Sequence, residues 1–406
     1  MSRLKRSLII TLPPEIMGGV GAKARILADY LRSEGAETTI AYYRPFQIRS
    51  ELNVSFWQFP PMKKPKLRSE RRFGGHHCKA VGCNFPEFEF SYSRCSNLWR
   101  NLIKEYDLHF VVGGTVVLAN ILEDLNMPYI VWCASDVEGD RYERQRVMPL
   151  IRKIFDKKLI APFLLRQQDK VINGKGRILA VSGFTQKILK QKQTNQKKVI
   201  GKLPIPTDLS FFIPSEKATK MSRLGFAGRL NDPRKNPSLL FSVLAKVKKD
   251  GFTPELFLTG NSSPSLDRQI QNLDISENVF FVGNLKRNEL RNFYQSLDLF
   301  LIPSFQEGLA IVGIEALACG VPVISTRCGG PEDYVVDGKN GYLVGFCASQ
   351  MASKVCILLE NRQLRANFSK LARSLIEQSH GLSTFRAKIT KEIGSNWVSP
   401  YTEENS

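Results

Sequence analysis

Two carboxylates and two cations carry most of the chemistry this chain could do. Glu307 and Glu315 are separated by seven residues within the stretch 304–324, and the run before them, 297–303, is apolar, β-rich and closed by a proline. That run reads as a buried parallel strand, 311–318 as a helix stopped by Gly320 and Pro322, and 321–324 as the next strand. Ligands of an open parallel sheet bind beyond the carboxyl ends of its strands. Glu307 then falls in a loop at the ligand edge and Glu315 about one turn inside the following helix, so that both carboxylates can face one crevice. Acids near a helix start are favoured by the backbone dipole in any case, so neither glutamate marks a site alone.

The cations come from a second strand-to-helix turn. Gly228 and Arg229 follow the strand 223–228, and Lys235 and Asn236 precede a helix that opens at Pro237. Two positive side chains at a strand's carboxyl end, with their charges free and close to the Gly308 loop, suit a diphosphate.

The elements that must hold these residues alternate regularly. The strand 7–12, the glycine loop with Gly18 and Gly19, a helix over 22–32 and the strand 37–42 make one βαβ unit. The loop lacks dinucleotide-fingerprint spacing, but its glycines let backbone approach an anionic ligand at a helix N-terminus. Further buried strands are read at 107–112, 128–133 and 177–181, with His109 as a core residue. Between the last two, 143–170 reads as a packed amphipathic helix with Val147, Leu150, Ile151, Ile154, Phe155 and Leu159 on its apolar side and basic residues opposite. Such a helix can also lie on anionic lipid.

Residues 60–97 break the rhythm and read as an irregular basic insertion. His76, His77, Cys78, Cys83 and Cys95 invite a zinc reading, but the spacing is loose and no tight second ligand pair follows. After a linker over 203–220 a fresh βα series begins. The fold class is therefore α/β, with two doubly wound domains expected to face each other across a ligand cleft: an amino-terminal domain over 1–210, a second over 211–380, and a final helix and tail over 381–406.

A length of 406 residues and 43% apolar content fit an ordinary globular protein of two to three domains. The formal charge of +20 points to an anionic partner. Aromatic residues are not interleaved with the basic run 187–198 as single-stranded nucleic acid would require, so nucleic acid is not expected. Eight scattered cysteines, no membrane-spanning run and no signal-type apolar core lead to the expectation of a cytoplasmic protein, with room for a peripheral contact at the inner face of an anionic membrane.

On these residues the chain resembles a GT-B fold glycosyltransferase of the retaining group 1 family, also called family 4. The likeness rests on Glu307 with Glu315, Gly228 and Arg229 with Lys235 and Asn236, Gly329 to Glu332, Asp337 to Leu343, the Gly18 and Gly19 loop, Ala180 to Ser182, and the linker from Asp208 to Pro214. It implies two facing Rossmann-like domains with an interdomain cleft and a carboxyl-terminal helix that crosses back. It also implies a nucleotide diphosphate sugar as donor, with no metal or other cofactor. Arg229 and Lys235 would neutralise the leaving diphosphate, and Glu315 would bond the ribose. Glu307, with Gly308, Leu309, Ala310 and Ile311, would engage the sugar. The acceptor, a sugar, lipid-linked or polysaccharide hydroxyl, would enter near Gly18 and Gly19, which suggests surface polysaccharide or glycolipid synthesis. Many relatives carry a histidine after the strand that ends here at Trp132, where this chain has Cys133; Ser135, Asp136, Asp140 and Arg141 are the candidate substitutes. A nucleotide-sugar epimerase or hydrolase of related fold, and a non-catalytic nucleotide-sugar or polyanion binder, are the alternatives.

Overall fold

The computed structural model describes residues 5–16, 19–48, 51–58, 63–146, 148–194, 199–215 and 222–394. The chain divides into two compact units, one running to Leu203 and resuming at Lys388, the other Pro204–Ala387. The sequence places this boundary at 210/211; the contacts place it at the start of the proline-containing linker.

The described residues of the first unit form eight strands: β1 (Arg6–Thr11), β2 (Glu37–Tyr43), β3 (Leu67–Arg72), β4 (His76–Val81), β5 (Leu108–Val112), β6 (Ile130–Cys133), β7 (Arg177–Ala180) and β8 (Ile200–Lys202), in the order β3-β4-β2-β1-β5-β6-β7-β8. Every pairing is parallel except β3 with β4. The central strands are continuous apolar runs because helices cover both faces; Leu8, Ile9 and Ile10, for example, are wholly buried. Helix α1 (Gly19–Ser33) makes the first crossover.

Residues 67–81, expected to be irregular, form a hairpin on the sheet edge. Cys78 pairs with Ile40 and Val81 with Tyr43. The outer strand, Leu-Arg-Ser-Glu-Arg-Arg, shows no apolar alternation because charged side chains are what an edge strand carries to block further pairing. His76 is buried against Asp29, with its Nε2 2.8 Å from Oδ1, and among the described residues no group of His, Cys, Asp and Glu could hold a metal ion. His109 is buried, its Nε2 3.1 Å from the Ile103 carbonyl oxygen.

The region expected to be one packed helix over 143–170 is three pieces: α2 (Val137–Arg146), α3 (Leu150–Phe155) and α4 (Ala161–Asn173), the last two joined by a wider helical turn, Asp156–Ile160. The buried line is Asp156, Ile160, Leu164, Gln168 and Val171, whereas Leu150, Ile151, Ile154 and Phe155 are exposed. Val147 lies outside the described residues. The wide turn inserts an extra residue per repeat and rotates the apolar stripe of α3 away from the face that α4 buries. What sits inside instead is a charge: Arg141 Nη1 lies 2.6 Å from Oδ1 of fully buried Asp156, and the other side of its guanidinium pairs with Glu89.

The described residues of the second unit form six parallel strands: β9 (Arg223–Phe226), β10 (Glu255–Leu258), β11 (Val279–Phe281), β12 (Leu299–Ile302), β13 (Val323–Thr326) and β14 (Gly341–Val344), in the order β11-β10-β9-β12-β13-β14. Helices α5 (Pro237–Lys249), α6 (Arg287–Gln295) and α7 (Ile311–Ala318) follow β9, β11 and β12. The last helix, α8 (Leu382–Gly394), starts in the second unit and ends in the first, as the resemblance implies. Its Thr390 Oγ1 is 2.7 Å from the Tyr30 hydroxyl, and Glu392 takes a two-pronged bond from Arg177 at 2.7 and 3.0 Å.

Removing one partner of a buried ion pair leaves the other charge uncompensated. Arg141→Ala is therefore expected to destabilise the first unit by about 3 kcal/mol, read as an earlier transition in chemical denaturation, with Arg141→Ala/Asp156→Leu recovering most of the loss.

Candidate active site

From β9 the chain moves outward to β10 and β11, then returns to the other side of β9 for β12, β13 and β14. The gap between β9 and β12 is thus a topological switch point, where the loops at the carboxyl ends diverge and leave a crevice. The loop after β9, residues 227–236, and the loop after β12, residues 303–310, flank it.

The first loop is pinned by its own acid. Asp232 accepts from the Arg234 amide at 3.1 Å and from the Arg234 and Arg229 guanidinia at 2.7 and 3.2 Å. Burial opposes ionisation of Asp232, but Arg234 and then Arg229 hold the carboxyl down to about 2. Gly228 donates its amide to Thr259 Oγ1 at 3.0 Å. Asn236 has the left-handed φ of 50° that asparagine tolerates, and its side-chain amide donates to the Pro303 carbonyl at 3.2 Å, stitching one loop to the other.

The cations are not free, as the sequence suggested they would be. Lys235 Nζ donates to Glu307 Oε1 at 2.6 Å, and the Arg229 guanidinium is shared with Asp232, although the Arg229 side chain stays 53% exposed. Glu307 Oε1 also accepts from Ser304 Oγ at 2.7 Å, while its Oε2 takes no bond among the described residues. The Glu307 backbone is clamped to the next loop: its amide donates to Cys328 O and its carbonyl accepts from the Gly330 amide, both at 2.8 Å. That clamp requires glycine, since a Cβ at Gly330 would stand 2.3 Å from Leu309 Cα.

Ala310 enters α7 at φ 57°, a conformation uncommon for a residue with a Cβ. It is held by the Tyr334 hydroxyl, which donates to the Ala310 carbonyl at 2.9 Å. Tyr334 reaches that carbonyl because position 313 is glycine; a Cβ there would stand 2.3 Å from the hydroxyl. Gly308, Leu309, Ala310 and Ile311 thereby bring the unsatisfied amides of the α7 N-terminus to the loop that carries Glu307.

Glu315, one turn inside α7, accepts from the Tyr294 hydroxyl at 2.8 Å through Oε2, and its Oε1 takes no bond among the described residues. Burial pushes its carboxyl up to about 7, although Tyr294 and the Arg287 charge pull the other way. The two glutamates thus share a design, one oxygen tied to the protein and the other not, but differ in charge partner.

Residues 210–375, most of the second unit, match the family model described as glycosyl transferases group 1. The second unit is a group 1 glycosyltransferase domain. A D-inositol 3-phosphate glycosyltransferase of Segniliparus rotundus is 30% identical over 181 residues, which are 40% of this chain and 40% of that relative. The chain therefore matches well under half the length of that curated relative. Over the whole chain the fold is that of the GT-B glycosyltransferases. Sucrose-phosphate synthase from Thermosynechococcus elongatus superposes with a TM-score of 0.70 at 17% identity, covering 96% of this chain and 99% of that one. Anabaena HepE in complex with UDP-glucose does so with 0.70 at 16% identity, covering 96% and 100%.

Outside the group 1 domain, the first-unit candidates are differently placed. Gly18 lies outside the described residues, and Gly19 is exposed at the start of α1. Ser135 donates to the Asp136 carbonyl at 3.2 Å. Asp136 is buried 3.3 Å from Lys192, its carboxyl raised by burial and by Glu138 beside it. Asp140 pairs with Arg144 at 3.2 Å, and Arg141 is the buried charge already described. A cleft in this unit opens beside them, lined by Leu12, Tyr43, Tyr92, Thr115, Arg141 and Leu164.

Sequence reasoning missed Ser304, Tyr294, Tyr334 and Asp232, because a hydroxyl or acid several elements away leaves no local pattern. It also missed Lys23, a buried lysine in α1 that donates to the Gly113 and Trp132 carbonyls at 2.9 and 3.2 Å and whose ammonium burial pulls down to about 8.

The raised Glu315 carboxyl has a consequence for stability. Between its ordinary value of 4.5 and about 7 the folded chain retains a proton that the unfolded chain has released, so stability falls as pH rises through that window and levels off above it. Glu315→Gln keeps the Tyr294 bond and removes the titration. Relative to this variant the native chain is expected to lose on the order of 2–3 kcal/mol between pH 5 and pH 8, measured by denaturant unfolding at each pH.

Proposed function

We propose that the chain is a retaining, metal-independent glycosyltransferase that moves a hexose-type sugar from a nucleotide diphosphate sugar to an acceptor hydroxyl. The observation that carries this reading is the switch-point pair Lys235–Glu307 at 2.6 Å, next to the α7 N-terminus, with one oxygen of Glu307 and one of Glu315 left without a partner among the described residues. Similar proteins support it: one is a D-inositol 3-phosphate glycosyltransferase, and the HepE structure is a complex with UDP-glucose.

In this scheme the diphosphate competes with Glu307 for Lys235 and takes Arg229 at the exposed rim. Glu307 Oε2 then accepts from a sugar hydroxyl, and Glu315 Oε1 from the ribose. Cleavage of the bond between the anomeric carbon and the phosphate oxygen leaves its electron pair on the diphosphate, where Lys235, Arg229 and the α7 amides stabilise the developing charge. The acceptor oxygen forms its bond on the same face of the sugar and passes its proton to the departing phosphate oxygen, so configuration is retained and no strong protein base is needed. Charge balance comes from the two cations, and no step is assigned to a metal. The first unit receives the acceptor, and its basic character fits an anionic or lipid-linked acceptor in surface polysaccharide or glycolipid synthesis at the cytoplasmic face of a membrane.

Thermal-shift screening of nucleotide sugars identifies the donor, since a ligand that binds only the native state raises the melting temperature. With that donor, Glu307→Ala and Lys235→Ala are each expected to lower kcat for transfer by roughly 10²–10³-fold. Unchanged turnover in Glu307→Ala would remove the assignment.

A further inference from the structure

The apolar stripe of α3 is the largest departure from what the sequence leads one to expect, because a stripe patterned for burial faces solvent. Ile151 is 85% exposed and Leu150 72%, with Ile154, Phe155 and Phe163 also exposed along the same helical run. A separate turn, Phe56–Gln58, presents Trp57 at 84% exposure. Aromatic contacts join the two segments into one surface. Trp57 packs on Phe56 with centroids 5.8 Å apart, Phe56 on Phe88 at 6.2 Å and Phe88 on Phe155 at 6.3 Å; Phe88 also stacks on Phe90, and Phe90 on Phe163 at 4.7 Å. Isolated exposed apolar side chains need no explanation, but a contiguous patch on a folded protein marks a binding face.

The charge around this patch selects its occupant. Arg152, Lys157, Lys158 and Arg166 are exposed beside it, with Lys153 half-buried. Of the described acids of this region, Asp156 points inward to Arg141 and Glu89 pairs with the far side of Arg141, while Glu87 keeps its charge as it accepts from Ser55 and the Phe56 amide and is outnumbered by the cations. The face is therefore apolar with a cationic rim. A second copy would set this rim against its own like charges, whereas an anionic bilayer offers hydrocarbon at the depth of Ile151 and Trp57 and phosphate at the level of the lysines. Tryptophan suits that boundary because its ring is apolar and its N–H stays hydrated. No described helix is long and apolar enough to cross a membrane, so the contact is at the surface.

We infer that the first unit docks on anionic membrane through the Trp57 turn and the α3 face, within the stretch 143–170 that the sequence reads as able to lie on anionic lipid, and not through the basic run 187–198. This inference does not depend on the proposed transferase reaction. The experiment is flotation of the full chain with vesicles of phosphatidylcholine alone and of phosphatidylcholine with 30% phosphatidylserine, a composition chosen for roughly physiological surface charge. Binding is expected only to the anionic vesicles, with a blue shift of emission in a Trp397→Phe background that Trp57→Phe removes, since Trp99 and Trp132 are already buried and Trp397 lies outside the described residues. Leu150→Glu/Ile151→Glu is expected to weaken binding at least tenfold with an unchanged melting temperature, and Lys157→Glu/Lys158→Glu to weaken it and flatten its salt dependence. Equal binding by the Leu150/Ile151 variant overturns the inference. So does loss of binding on Lys187→Glu/Lys190→Glu alone, or a dimer in light scattering that the Leu150/Ile151 change converts to monomer while vesicles remain unbound.

Discussion

The Lys235–Glu307 bond spans the switch point of the second sheet, and the geometry of the site follows from it. Its two members sit on loops that leave neighbouring strands in divergent directions, so without a tie across the gap each loop would be positioned only by its own short turn. Both side chains are largely buried, and the net gain from such a pair is small once desolvation is counted. Its value lies in position. It holds a cation and a carboxylate at a known separation at the mouth of the crevice, with Ser304, Asn236 and the Gly330 clamp locking the loops behind it. In the proposed reaction a diphosphate takes Lys235 from a single carboxylate, and Glu307, still hydrogen-bonded to Ser304, is released toward the sugar hydroxyls.

Residues of one type take different roles because their surroundings differ. Glu307 faces an ammonium group. Glu315 faces a tyrosine hydroxyl and a wall of helix, so burial raises its carboxyl to about 7. In the proposed donor complex a ribose donating hydroxyls to Glu315 would favour the ionised form and would couple nucleotide affinity to pH near neutrality. The strained entry to α7 belongs to the same economy of design: Ala310 is held left-handed by Tyr334, and that hold is available only because position 313 has no side chain.

The first unit uses its charges otherwise. Asp136 and Arg141, which from sequence could belong to a sugar site, instead pair with Lys192 and Asp156 and join α2 to its neighbours. The burial of Asp156 at the wide turn goes with the turning-out of α3, so a polar residue inside and an apolar stripe outside have one origin. The same event supplies the face proposed for membrane docking.

Sequence alone determined the βα alternation, the two doubly wound sheets and the grouping of Gly228, Arg229, Lys235, Glu307 and Glu315 at strand ends. Buried parallel strands are short apolar runs and their loops fall at one edge by topology, so this much is local pattern plus one fold-level rule. Three things were decided only by tertiary structure. The Lys235–Glu307 and Tyr294–Glu315 bonds join residues far apart in sequence, whose encounter depends on strand order. The charged segment 67–72 became a strand because an edge was open beside β4, and nothing in its own periodicity asked for that. The exposure of Leu150 and Ile151 followed from a single widened turn, which changes the phase of a helix without leaving any mark in the spacing of its apolar residues.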